Sequence, residues 1–158
     1  DLHAEVMIAA HRAVVDVDVD LGLVRVVEIA TAQDVGKILN RMSLLGQIEG
    51  GIAQGLGLAL MEEIVTTQGR VENASFTDYL IPTIVDMPPV QAAMLEFPSH
   101  WGPFGAKGAA EAPTVSSPAA VLAAIRDATG RELWHVPVSA DDIVGSSEPR
   151  DNREASLS

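Results

Sequence analysis

Residues 13–20 alternate without a break, with Val15, Val17 and Val19 set against Asp16, Asp18 and Asp20. Successive side chains of a strand point to opposite faces, so the run predicts a strand with one apolar face and one face in water. A short Leu21-Gly22 link leads into a Val- and Ile-rich run over 23–30, and the two runs together predict a β-hairpin. The aspartates also invite a calcium reading, because an EF-hand loop carries ligands at every second position. Such a loop then needs Gly at position 6 and Glu at position 12. Counted from Asp16 those positions hold Leu21 and Val27, so the aspartates read as a solvated strand face.

Residues 46–64, GQIEGGIAQGLGLALMEEI, place Ile48, Ile52, Leu56, Ala59 and Leu60 along one side of a helix, with Glu62 and Glu63 near its end. Gly46, Gly50, Gly51, Gly55 and Gly57 interrupt it. Glycine costs about 1 kcal/mol per helical position relative to Ala, so this density predicts a backbone pressed against a neighbour or a ligand. Short strands are predicted over 65–67, 70–72, 76–81 and 91–97, separated by turn signals at Gln68-Gly69, Asn73 and Met87-Pro88-Pro89. After a Gly-rich loop, Ser117 is the expected N-cap and Pro118 the first position of an Ala-rich helix closed by Gly130. A last strand is expected over 133–138. The whole reads as an α+β fold: a mixed sheet with an N-terminal β-hairpin, a glycine-rich helix and a C-terminal Ala-rich helix. It forms one domain over 1–145, followed by a disordered polar tail over 146–158.

Composition removes several chemistries. With no Cys the chain has no disulfide, thiolate metal site, Fe–S ligand or cysteine nucleophile. A formal charge of −12 argues against nucleic acid and anionic membranes as partners. No apolar run approaches the roughly 20 residues of a membrane span, and the first residues lack a signal-peptide pattern, so a soluble cytoplasmic protein is expected. A hydrophobic share of 47%, a charged share of 20% and a start without Met suggest either a piece that sets apolar surface against a partner or a trimmed domain. There is no GxSxG or HExxH motif, and Lys107 is followed by Gly rather than the Ser or Thr of a P-loop. Gly55-Leu56-Gly57 would need a third glycine where Leu60 stands. His3, His11, His100 and His135 share no ligand spacing, so no protein-held metal is expected.

Two sets of residues remain as candidates. Gln47 and Gln54 lie two helical turns apart and project from the same side of the glycine-rich helix. Amides that both donate and accept suit a pterin-like heterocycle, and they equally suit an exposed polar face. Glu111 is the only acid between Glu96 and Asp127 and stands among Gly108, Ala109, Ala110 and Ala112, with Lys107 four residues earlier. It belongs either to the surface or to chemistry. Burial would raise its pKa toward that of a useful base, while Lys107 and the amides of the following helix would oppose the shift.

The segments GQIEGGIAQGLGLALMEE, FTDYLIPT and GPFGAKGAAEAPTV, in this order, resemble the C-terminal part of the molybdenum-binding subunit of xanthine dehydrogenases, relatives of aldehyde oxidases. The likeness runs from about residue 10 to residue 145. It implies that Glu111 is the general base of a water-derived hydroxylation of a purine or related N-heterocycle. It implies that Gln47 contacts a molybdopterin cofactor, as the plain pterin or its cytosine dinucleotide, with Gln54, Lys107 and Gly108 in support. Molybdenum would be held by the cofactor, and Fe–S and FAD groups would sit in partner domains or subunits, beside the remainder of the molybdenum subunit. A chain holding only this part would not turn over substrate alone. Ala110 stands where the family has Gly, and would be strained by about 1 kcal/mol or more at a positive φ. Asn40-Arg41 stands where Asn-Pro is frequent. Two alternatives remain: a non-catalytic assembly fragment, and an aldehyde- or carbon monoxide-oxidising relative.

Overall fold

The computed structural model describes residues 6–145; the expected tail over 146–158, like His3, lies outside the described residues. Strand β1 (Ala9–Asp18) and strand β2 (Leu23–Asp34) form the predicted antiparallel hairpin. Its link is longer than Leu21-Gly22. Asp18 Oδ1 accepts from the N–H groups of Asp20 and Leu21 at 3.1 and 3.0 Å, so the last aspartate of the wet face also ties the turn. Asp16 pairs with Arg25, and Arg12 with Glu28, across the exposed face. On the other face Ala13, Val15 and Val17 pack against the core.

A bulge between Val14 and Val15 changes the parity of β2. Before it Val24 and Val26 point inward; after it Ile29, Thr31 and Gln33 do. Strand β5 (Val90–Leu95) adds in parallel to β2, giving a mixed sheet in the order β1-β2-β5. Between β2 and β5 lie helix α1 (Arg41–Leu60) and the small hairpin of β3 (Thr66–Thr67) and β4 (Arg70–Val71), which turns at Gln68-Gly69 with both residues at positive φ. Helix α2 (Ala112–Thr129) and the short α3 (Ala140–Val144) complete the chain. Ile29 meets Ile48, Ile52 and Leu56 of α1, Val121 and Ile125 of α2, and Ile143 of α3 in one core. The fold is α+β, as its sequence pattern indicates.

Four local expectations are corrected. Helix α1 starts at Arg41 because Asn40 caps it, Oδ1 accepting from Ser43 N–H at 3.0 Å, and it stops at Leu60. Helix α2 starts at Ala112, not at Pro118. Ser117 is buried inside it, its hydroxyl donating to Pro113 O at 2.6 Å rather than capping, and Pro118 is an internal proline. Residues 76–81 form a turn held by Ser75 and by Tyr79 Oη donating to Glu62 at 2.8 Å. Residues 133–138 are not a strand. Pro137 has no N–H to donate, and only Val138 N–H reaches back to α1, at Ala59 O, 2.8 Å away. The expected C-cap holds, with Gly130 at φ 67°.

Candidate functional site

Of the five glycines of α1, Gly57 faces Glu62 and Pro82, and the other four divide into two groups by what lies above them. A Cβ on Gly51 would stand 2.7 Å from Pro113 Cβ, and one on Gly55 would run into Ser117. These two let the first turns of α2 lie directly on the middle of α1. Gly46 and Gly50 have no neighbour within 4 Å of the Cβ position, so their face of the helix is bare backbone.

That bare face is the floor of an open cleft of about 560 Å³, walled by Gln47 and Gln54 on α1 and by Ala110, Glu111 and Thr114 at the start of α2. The two glutamines and the glutamate singled out in the sequence therefore share one cleft. The single Thr114 hydroxyl proton lies between Gly51 O at 3.0 Å and Gln54 Oε1 at 3.2 Å, and the Gln54 N–H donors have no partner among the described residues. Glu111 stands at the N-cap position of α2. Its main-chain carbonyl accepts from Thr114 and Val115, while its side chain makes no capping bond and is exposed. The condition of a buried loop is not met in this chain.

Lys107 and Gly108 do not line this cleft. The Lys107 ammonium is turned away to Asp34 at the end of β2, with Nζ 2.6 Å from Oδ2, both side chains about a tenth exposed. It also donates to Val6 O at 3.2 Å. This ammonium, with the N–H groups of Gly36 and Phe97, outweighs burial and holds the Asp34 carboxyl below its ordinary value. No sequence signal marked Asp34, because its partners Phe97 and Lys107 lie far along the chain. Ala110 is not at positive φ, so Ala in place of Gly carries no left-handed strain; Phe104 does carry it, at φ 56°.

The remaining histidines have local roles or none. His11 Nδ1 meets Ser116 Oγ at 2.8 Å and burial lowers its pKa, while His11 Nε2 and Gln33 Oε1 are buried without a partner. His135 Nε2 meets Asp142 Oδ2 at 3.1 Å, and His100 is exposed. Among the described residues no cluster of three or more His, Asp or Glu could hold a metal ion, and no helix is long and apolar enough to cross a membrane.

Comparison with known proteins gives this chain a family. Residues 1–88 match the model of the molybdopterin cofactor-binding domain, a span that includes Gln47 and Gln54. The chain is 34% identical over 142 residues to the nicotine 6-hydroxylase large subunit of Paenarthrobacter nicotinovorans, covering 87% of this chain and 17% of that protein. It is 34% identical over 134 residues to a probable xanthine dehydrogenase subunit of Bacillus subtilis, covering 84% and 18%. The aldehyde oxidoreductase of Desulfovibrio gigas superposes with a TM-score of 0.80 at 33% identity, covering 88% of this chain and 15% of that one. The chain thus spans under a fifth of the length of these relatives. On this match the chain belongs to the molybdopterin cofactor-binding family, within the large subunits of the xanthine dehydrogenase and aldehyde oxidoreductase type.

Proposed function

We propose that this chain forms one wall of the molybdopterin site of a larger molybdenum hydroxylase, with Glu111 as general base and Gln47 and Gln54 as contacts to the pterin. The observation that carries the reading is the single cleft shared by these three side chains. The cleft suits such a group. Bare backbone at Gly46 and Gly50 leaves room for a flat ring where any Cβ would intrude. Gln47 offers both a donor and an acceptor to its edge, and Gln54 offers its N–H groups. Lys107 and Gly108, which do not line the cleft, bear on the placement of Glu111 through the loop that carries it, not on the cofactor.

When bound, the cofactor supplies the two-electron redox chemistry; the protein supplies a base and orientation. Glu111 takes up, on a carboxylate oxygen, the proton released by the water that provides the new hydroxyl oxygen. It needs no shielding side chain of its own for this, because a cofactor and substrate filling the cleft would exclude water from it.

The substrate class we favour is a purine or related N-heterocycle, supported by relatives named for nicotine and xanthine. The aldehyde oxidoreductase likeness favours a second reading in which the same wall serves an aldehyde. The rest of the molybdenum subunit, and Fe–S and FAD domains or subunits, are the partners this activity requires. The decisive variant is Glu111→Gln in the complete enzyme, assayed at equal molybdenum content. A positioned base contributes roughly 10²- to 10⁴-fold, so turnover should fall by that factor. Near-normal turnover would exclude Glu111 as the base.

A further inference from the structure

Three segments of the chain meet at the Asp34 carboxylate, and a fourth reaches it through Lys107. Asp34 Oδ1 accepts from Gly36 N–H at 3.1 Å and from Phe97 N–H at 3.3 Å, while Oδ2 accepts from Lys107 Nζ at 2.6 Å. The ends of β2 and β5 and the loop leading to Glu111 are thereby joined, and Lys107 Nζ adds Val6 O, just before β1. The main chain follows the same geometry. Lys107 N–H donates to Val35 O at 3.0 Å, Lys37 N–H to Gly105 O at 2.8 Å, and Gly36 bridges Ala106.

We propose that Asp34 and Lys107 are a positioning pair that fixes where Glu111 stands in the cleft. The inference rests on Glu111 acting as the base. Only residues 108–110 separate Lys107 from Glu111, and Gly108 among them has open space around it, so that stretch has little packing of its own. On its other side Glu111 is continuous with α2, which is seated on Gly51 and Gly55. The base is therefore held at two points, the helix and the ion pair. A desolvated ion pair is a poor source of net stability but a strict geometric constraint, because either partner alone is a stranded charge. An ammonium engaged in this way is also withdrawn from direct contact with a ligand in the cleft. The lowered pKa of Asp34 agrees with a pair that stays ionised at neutral pH.

The test is made in the complete enzyme with two variants: Lys107→Met, and Asp34→Asn combined with Lys107→Met, which removes the pair without stranding a charge. Loss of sub-ångström placement at a reacting group costs on the order of 10²-fold, so kcat should fall by about that much. KM should stay within about threefold, since substrate binding is not what the pair controls. Molybdenum and pterin content should be unchanged, and amide hydrogen exchange across 97–108 should accelerate in both variants. Placed in a Glu111→Gln background, the pair variants should lower the rate no further. Reduced cofactor content in either variant would mean that Lys107 touches the cofactor and would overturn the proposal, as would unchanged exchange across 97–108. Should Glu111→Gln itself prove near-normal, the base assignment fails, and the exchange measurement still decides whether the pair holds the loop.

Discussion

Asp34 and His11 are titratable groups packed near the same end of the sheet, and each makes the fold sensitive to acid through a different cause. For Asp34, the Lys107 ammonium is the largest influence and sets the folded-state pKa below the ordinary 3.8. A depressed carboxyl stabilises the fold above its unfolded-state value and loses that contribution as pH falls through the folded value. Asp34→Asn should therefore lower the denaturant midpoint at pH 7, and the gap to wild type should narrow as the titration is carried below pH 3.8. For His11, burial keeps the ring neutral and sets its folded pKa below 6.5. As pH falls from 6.5 toward that lower value the unfolded chain takes up the proton first, so stability declines in that window. His11→Gln should flatten the decline, as read from midpoints measured across it. At this scale Glu111, Gln47 and Gln54, which share one cleft, could be picked out as candidates because residue type and helical spacing are local signals. Asp34 was not, since its importance comes from contacts with Phe97 and Lys107 that no local pattern encodes.

The glycine-rich helix shows what an element's sequence can and cannot disclose. Five glycines do signal that something approaches α1, yet composition cannot say which glycine meets a protein neighbour and which faces open space. The structure separates them, and the separation is measurable. Gly55→Ala would drive a methyl into Ser117, and overpacking of this kind costs about 1–3 kcal/mol, so the denaturant midpoint should drop. Gly50→Ala meets no neighbour and gains helix propensity, so stability should rise by up to about 1 kcal/mol. The misplaced start of α2 has a related cause. Ser117-Pro118 has the local form of a cap and first turn, but Pro113 already occupies the helix start, and α2 extends past Pro118 because its early turns are packed on α1. The strand expected over 76–81 failed because the run turns back on Ser75, whose carbonyl accepts from Asp78 and Tyr79 N–H, and Tyr79 Oη ties it to the carboxylate of Glu62.

Over the whole molecule the hairpin, the two long helices and the parallel third strand were legible as a fold class, while the exposed apolar surface was not. Phe76, Ile84, Val85, Phe104 and Trp134 are each more than three-quarters exposed, on a chain that spans under a fifth of its relatives. The cleft is an open wall, with a floor of bare backbone and Glu111 among its lining residues. If that wall faces the cofactor, filling it should displace the cofactor without harming the fold. The direct measurement is the molybdenum and pterin content of the complete enzyme carrying Gly46→Leu and Gly50→Leu, substitutions whose new Cβ meets no atom of the described residues within 4 Å. The cofactor should be largely lost while the denaturant midpoint stays at or above that of wild type stripped of its cofactor. Full cofactor content in the doubly substituted enzyme would contradict the assignment of this cleft.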